Sequence, residues 1–112
     1  MIAASGLWYS NENEIVNTNS RQLQKKYKHA KDFGIEGDYS PANARKFNSA
    51  INKHINAPET KKILGTFKNE PVMHFVDPRT GLNVITDRSG NFISGWKLNP
   101  IQLENILNHG GL

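Results

Sequence analysis

Lys26 and His29 stand three residues apart within Arg21-Gln22-Leu23-Gln24-Lys25-Lys26-Tyr27-Lys28-His29-Ala30-Lys31. On a helix that spacing sets both side chains on one flank. A lysine and a histidine at the margin of a buried face look into a crevice. There the ammonium lowers the histidine pKa by like-charge repulsion and offers a cation to a phosphate. The same pattern also fits an ordinary boundary histidine beside a lysine that snorkels to water. Lys28 falls well round on the other side of the helical wheel.

A second group lies in Asn91-Phe92-Ile93-Ser94-Gly95-Trp96-Lys97-Leu98. Strict alternation puts Phe92, Ser94, Trp96 and Leu98 on one face of a strand. A serine hydroxyl between aromatics can hold a phosphate or sugar, and a tryptophan at a crevice mouth can stack a base. A core tryptophan with a small neighbour is the plainer alternative. Gly95 predicts a bulge or a close backbone approach. Among the other histidines, His54 points with Phe47 and Ile51, which suits a core or boundary role. His74 alternates with Val72 and Val76 and is a second proton-transfer candidate. His109 ends a helix, where the macrodipole favours a cation.

Several chemistries drop out. The 112-residue chain has no cysteine, which excludes disulfide scaffolds, cysteine-ligated zinc and thiol nucleophiles. No cluster of acidic residues and histidines resembles a two-metal nuclease site, so neither metal nor cofactor is expected. There is no phosphate loop ending in Gly-Lys-Ser/Thr and no Gly-x-Ser-x-Gly elbow. One common route for cutting a nucleic acid needs no metal; it is open to RNA, and DNA is not expected as a partner. The 2′-hydroxyl of RNA attacks the adjacent phosphate, needing only a proton acceptor, a proton donor and cations on the phosphorane.

The charge pattern agrees. Lysine and arginine number 14 against 10 acidic residues, a net +4. Residues 1–19 carry −2, residues 20–62 carry +6 and residues 63–112 are neutral. The excess is densest around His29, making Lys25, Lys28 and Lys31 candidate substrate-binding cations; a solvated helix face is the competing reading. No apolar run approaches the roughly 20 residues of a membrane span, and the N-terminus lacks the order of a signal peptide.

The elements that must position these residues are readable. Residues 1–19 are asparagine-rich and aperiodic, a linker or arm from which Leu7, Trp8, Ile15 and Val16 could dock; residues 20–112 form the domain. A helix is expected from Asn19 or Ser20 to Gly34, with Leu23, Tyr27, Ala30 and Phe33 buried. Ser40-Pro41 opens a second, ending near Asn56, whose apolar face is Ala44, Phe47, Ala50, Ile51, His54 and Ile55. Residues 62–67, 72–76, 82–86 and 91–98 read as strands, and the short turns between them allow only antiparallel neighbours. Asn99-Pro100 starts a short C-terminal helix that stops before Gly110-Gly111. The expectation is an α+β fold, with N-terminal helices packed on one face of an antiparallel meander of about four strands.

Lys26-Tyr27-Lys28-His29-Ala30 with Asp32-Phe33-Gly34 resembles the catalytic helix of the colicin D-type ribonuclease domain. Thr80-Gly81-Leu82-Asn83-Val84 followed by Asn91-Phe92-Ile93-Ser94-Gly95-Trp96-Lys97-Leu98 is similar to the final strands of that domain, and the resemblance runs from about Gln22 to Pro100. Such domains also end contact-dependent inhibition toxins and other polymorphic bacterial toxins. The resemblance implies a barnase/EndoU/colicin/RelE-like fold and a metal-independent tRNA endonuclease leaving a 2′,3′-cyclic phosphate, with the anticodon loop a known target in the family. It implies His29 as general base or acid, Lys26 stabilising the phosphorane, Lys28 on RNA backbone, Ser94 holding a phosphate and Trp96 contacting substrate. It further implies release by a producing bacterium, action in a target-cell cytoplasm, and a small acidic immunity protein as partner. A non-catalytic RNA- or partner-binding module and a ribosome-dependent mRNase of the same fold class are the alternatives.

Overall fold

The computed structural model describes residues 14–112; Leu7 and Trp8 lie outside them. The order is α1 (Ser20–Lys26), a 3-10 helix (Tyr27–Phe33), α2 (Pro41–Ile55), β1 (Lys61–Phe67), β2 (Glu70–Val76), β3 (Leu82–Thr86), β4 (Phe92–Lys97) and α3 (Pro100–His109). The four strands form one antiparallel meander in sequence order. The α+β class and the four-strand meander are as the sequence implied.

The expected first helix is two helices in tandem. Asn19 caps α1 by accepting from the Gln22 amide, and Gly34 ends the 3-10 helix at φ +85°. The change of pitch is written in the apolar spacing. Leu23 to Tyr27 is a four-residue step, whereas Tyr27, Ala30 and Phe33 repeat every three, the period at which a 3-10 helix eclipses side chains. These four residues join Phe47, Ile51, Ile55, Phe75, Val84 and Phe92 in the main core, between the N-terminal helices and one sheet face.

The opposite face is also covered, by α3, where the sequence reading placed helices on one face only. Ile106 and Leu103 pack there on Val76, Leu98, Ile63 and Trp96. A second correction concerns β4. Thr86 pairs with Phe92 but Ile85 pairs with Ser94, so Ile93 is an inserted residue. Such a bulge inverts the alternation. Phe92 therefore joins the α2-side core, while Ser94 and Trp96 point to the α3 side.

Both sheet edges are partly covered, β4 along much of its length and β1 at its hairpin end, which shortens the unpaired strand edge left to solvent. Along β4, the Phe92 amide donates to the Asn17 carbonyl at 2.9 Å, Gln22 Nε2 donates to the Ile93 carbonyl, and the Lys97 amide donates to Asp32 Oδ2 at 3.0 Å. Val16, 4% exposed, docks in the core, with its amide on Asn52 Oδ1, while Ile15 stays exposed. Along β1, the C-terminal segment bonds Thr66 and Lys68 through Gly110 and Leu112.

Candidate active site

The 3-10 pitch sorts the basic segment into rows. Lys26, His29 and Asp32, each three residues on, form the row facing β4, and Asp32 pins it there through the Lys97 amide. The His29 ring consequently lies against the Trp96 indole, with centroids 5.7 Å apart and planes inclined by 35°. Trp96 Nε1 donates to Gln102 Oε1 at 3.3 Å, so α3 fixes the indole from behind. His29 titrates below its usual range, first because it is partly desolvated, then because Lys28 and Lys26 repel a second positive charge; Asp32 opposes the shift. Lys26 is also lowered, by burial and then by Lys25, Lys68 and Lys28.

Lys68 and Phe67 were read from the sequence only as turn and strand residues. The β1–β2 hairpin outruns β3, since β2–β3 pairing begins at Met73–Thr86 while β1–β2 pairing continues to Phe67–Glu70. Its free end reaches the Trp96 indole, with the Phe67 ring 5.9 Å away. The Lys68 ammonium sits 5.2 Å from the Phe67 centroid. Between this hairpin and α1 runs a groove of about 280 Å³ lined by Gln22, Lys25, Lys26, Phe67, Lys68, Glu70, Val72 and Ile93. Three lysines against one glutamate leave it cationic.

The larger cleft, about 510 Å³, lies beside a different row. Lys28 and Lys31 open into it with Tyr27 and Tyr39, opposite Glu36 and Asp38. Its charges balance, so it offers a phosphate chain no net attraction. Lys28 is thus apart from Lys26 and His29, as the wheel indicated, although its field on His29 ranks ahead of that of Lys26.

The colicin D family model matches residues 22–106. The chain belongs to the colicin D family. It is 40% identical to colicin D of Escherichia coli over 82 residues, which make up 71% of this chain and 12% of that protein. A solved ribonuclease from Escherichia coli in complex with its inhibitor protein superposes with a TM-score of 0.73 at 38% identity, covering 81% of this chain and all of that one.

Within this colicin D-type domain Ser94 and His74 are buried polar residues. Ser94, 1% exposed, sits opposite Ile85 on the face that carries Trp96. His74, fully buried, bonds the Thr66 carbonyl through Nε2 at 3.0 Å and meets Asn83 Nδ2 through Nδ1 at 3.2 Å. Nε2 must carry the proton to serve a carbonyl, which makes Nδ1 the acceptor for the amide. Burial lowers its pKa, and no face of the ring is open to substrate. Its expected proton-transfer role therefore gives way to a structural one. His54 is a core histidine donating to the Phe75 carbonyl at 2.8 Å. Among the described residues no three His, Asp or Glu side chains converge as metal ligands, and no helix is long and apolar enough to cross a membrane.

Proposed function

We propose that this chain is a ribonuclease toxin domain that cleaves tRNA by transphosphorylation to a 2′,3′-cyclic phosphate and is neutralised by a small acidic immunity protein. The carrying observation is His29, held neutral near pH 7 by burial and flanking lysines and laid against Trp96 beside Lys26. A neutral imidazole can take the 2′-hydroxyl proton as the 2′-oxygen attacks phosphorus. The Lys26 ammonium stabilises charge on the phosphorane. As the P–O5′ bond breaks, the leaving oxygen takes its proton from Lys26, whose lowered pKa makes it a better donor than an ordinary lysine. Trp96 stacks a base, Ser94 approaches a phosphate oxygen once its surroundings open, and Lys25, in the cationic groove with Lys26, attracts the backbone, whereas Lys28 and Lys31, beside the charge-balanced cleft, add little to that attraction.

The similarity to a ribonuclease solved with its inhibitor supports both parts of this reading. The activity would be exerted in the cytoplasm of a target cell after release by a producer. The test is incubation of purified protein with total tRNA in excess EDTA, followed by sequencing of the RNA ends. Discrete cuts ending in cyclic phosphate, lost in His29→Ala, are expected. Intact tRNA, or salt-sensitive binding without cleavage, would sink the reading.

A further inference from the structure

We propose that the β1–β2 hairpin is a nucleotide subsite, with Phe67 stacking a base next to the scissile phosphate and Lys68 binding that nucleotide's own phosphate. The proposal rests on the ribonuclease reading and extends it to two residues outside the His29 row. Three independent observations carry it. The first is continuity: the rings of His29, Trp96 and Phe67 follow one another at 5.7 and 5.9 Å, spacings suited to side chains that line a path for successive bases. The second is charge. Lys68 comes close enough to repel the Lys26 ammonium, and with Lys25 the two line a groove whose only acidic member is Glu70. A phosphate placed there relieves that repulsion.

The third is backbone strain. Lys68 and Asn69 adopt φ +52° and +68°, so both central residues of this tight turn are left-handed. That conformation suits asparagine and glycine, and Asn69 fits it. Lysine gains nothing locally from it, and strained residues of this kind concentrate at functional sites. The surrounding structure holds the strain in place. The Lys68 amide donates to the Leu112 carbonyl at 3.1 Å, and the Thr66 amide to Gly110 at 2.8 Å. Lys68 is exposed, and its ammonium rests on the Phe67 ring. An incoming nucleotide replaces that contact with two, base on ring and phosphate on ammonium.

Lys68→Asn separates the functional role from the structural one, because asparagine favours the left-handed turn. Steady-state cleavage of tRNA and, in a His29→Ala background, anisotropy of a labelled RNA stem–loop across a salt series are the readouts. Lys68→Asn should leave thermal stability unchanged or raised and kcat within about twofold. It should weaken binding and raise KM about tenfold, and reduce the log–log salt slope by about 0.7, one phosphate contact. Phe67→Leu should also weaken binding about tenfold, with the slope unchanged. If wild-type protein cleaves tRNA while Lys68→Asn keeps wild-type affinity, KM and slope, the subsite is overturned and the ribonuclease reading stands. If wild-type protein does not cleave, that reading falls and takes the subsite with it.

Discussion

His29 and Trp96 lie ring against ring at 5.7 Å, so the indole shields one side of the histidine from water. Burial is the leading cause of its lowered pKa. Because a base works only when unprotonated, the acid limb of the pH–rate profile should fall below pH 6.5. Trp96→Ala uncovers the ring, so its pKa should climb towards 6.5 and the acid limb should follow, with kcat/KM at pH 7 reduced about 10- to 100-fold. Titration of the His29 ring protons by NMR checks the shift directly; an unmoved pKa would detach the indole from the acid–base chemistry.

Asp32 couples geometry to charge at the same place. Its carboxylate accepts the Lys97 amide at 3.0 Å and counters the lysines around His29. Asp32→Asn keeps an acceptor and loses the charge, whereas Asp32→Ala loses both. Both variants should lower the His29 pKa further, while only alanine should cost about 1 kcal/mol of stability by orphaning the amide. Equal stability of the two in urea melts, with unchanged His29 titration, would show that the row is not pinned here.

Ser94 tests whether a buried hydroxyl on the Trp96 face takes part in turnover. At 1% exposure it cannot meet a phosphate unless its surroundings open. Ser94→Ala is expected to lower kcat about tenfold or more, the worth of one hydrogen bond to a charged group, with little change in melting temperature. A melting temperature that drops with kcat intact would make Ser94 a packing residue.

Gly65 is where β1 meets the C-terminal segment. A Cβ there would stand 1.8 Å from the Gly110 carbonyl oxygen, with backbone rather than a flexible side chain in the way. Gly65→Ala should therefore push the C-terminal segment off β1, at a cost of about 1–3 kcal/mol. Since that segment also holds the Lys68 amide, RNA affinity should weaken as well. A thermal melt within about 1 °C of wild type would contradict the close approach.

The elements were legible because their signals are local: caps at Asn19, Ser40 and Asn99, turns around Gly81 and Gly90, and one apolar face on α2. The Lys26–His29 relationship was legible too, since three residues is a shared face at either helical pitch. What escaped depended on register. Ile93 carries no mark that makes it the inserted residue, so alternation set Phe92 beside Ser94, although Gly95 did announce the close approach of Phe33. Phe67 and Lys68 gain their role from how far the hairpin outruns β3, a property of pairing across strands that no single segment encodes.

His54 and His74 make stability fall as pH drops. Both are buried and titrate below 6.5 in the folded chain, chiefly through desolvation, partly offset at His54 by the Phe75 carbonyl and then Asp77, and at His74 by the Thr66 and Gly110 carbonyls. The unfolded chain takes up protons as pH falls through 6.5, and the folded chain refuses them until its own lower pKa values are reached. In that window the unfolded state binds more protons, so unfolding free energy declines by at most about 2.7 kcal/mol per pH unit for the pair. Above about pH 7.5 neither residue contributes any slope. Asp77 and Asp87, whose folded pKa values are depressed, act in a separate, lower window: their stabilisation holds above about 3.8 and goes as pH falls through their folded values. Urea midpoints should therefore decline between pH 7.5 and 5.5. His54→Gln, which can still donate to the Phe75 carbonyl but does not titrate, should flatten that decline. A wild-type midpoint that is level across the window would mean that the buried histidines reach water before the chain unfolds.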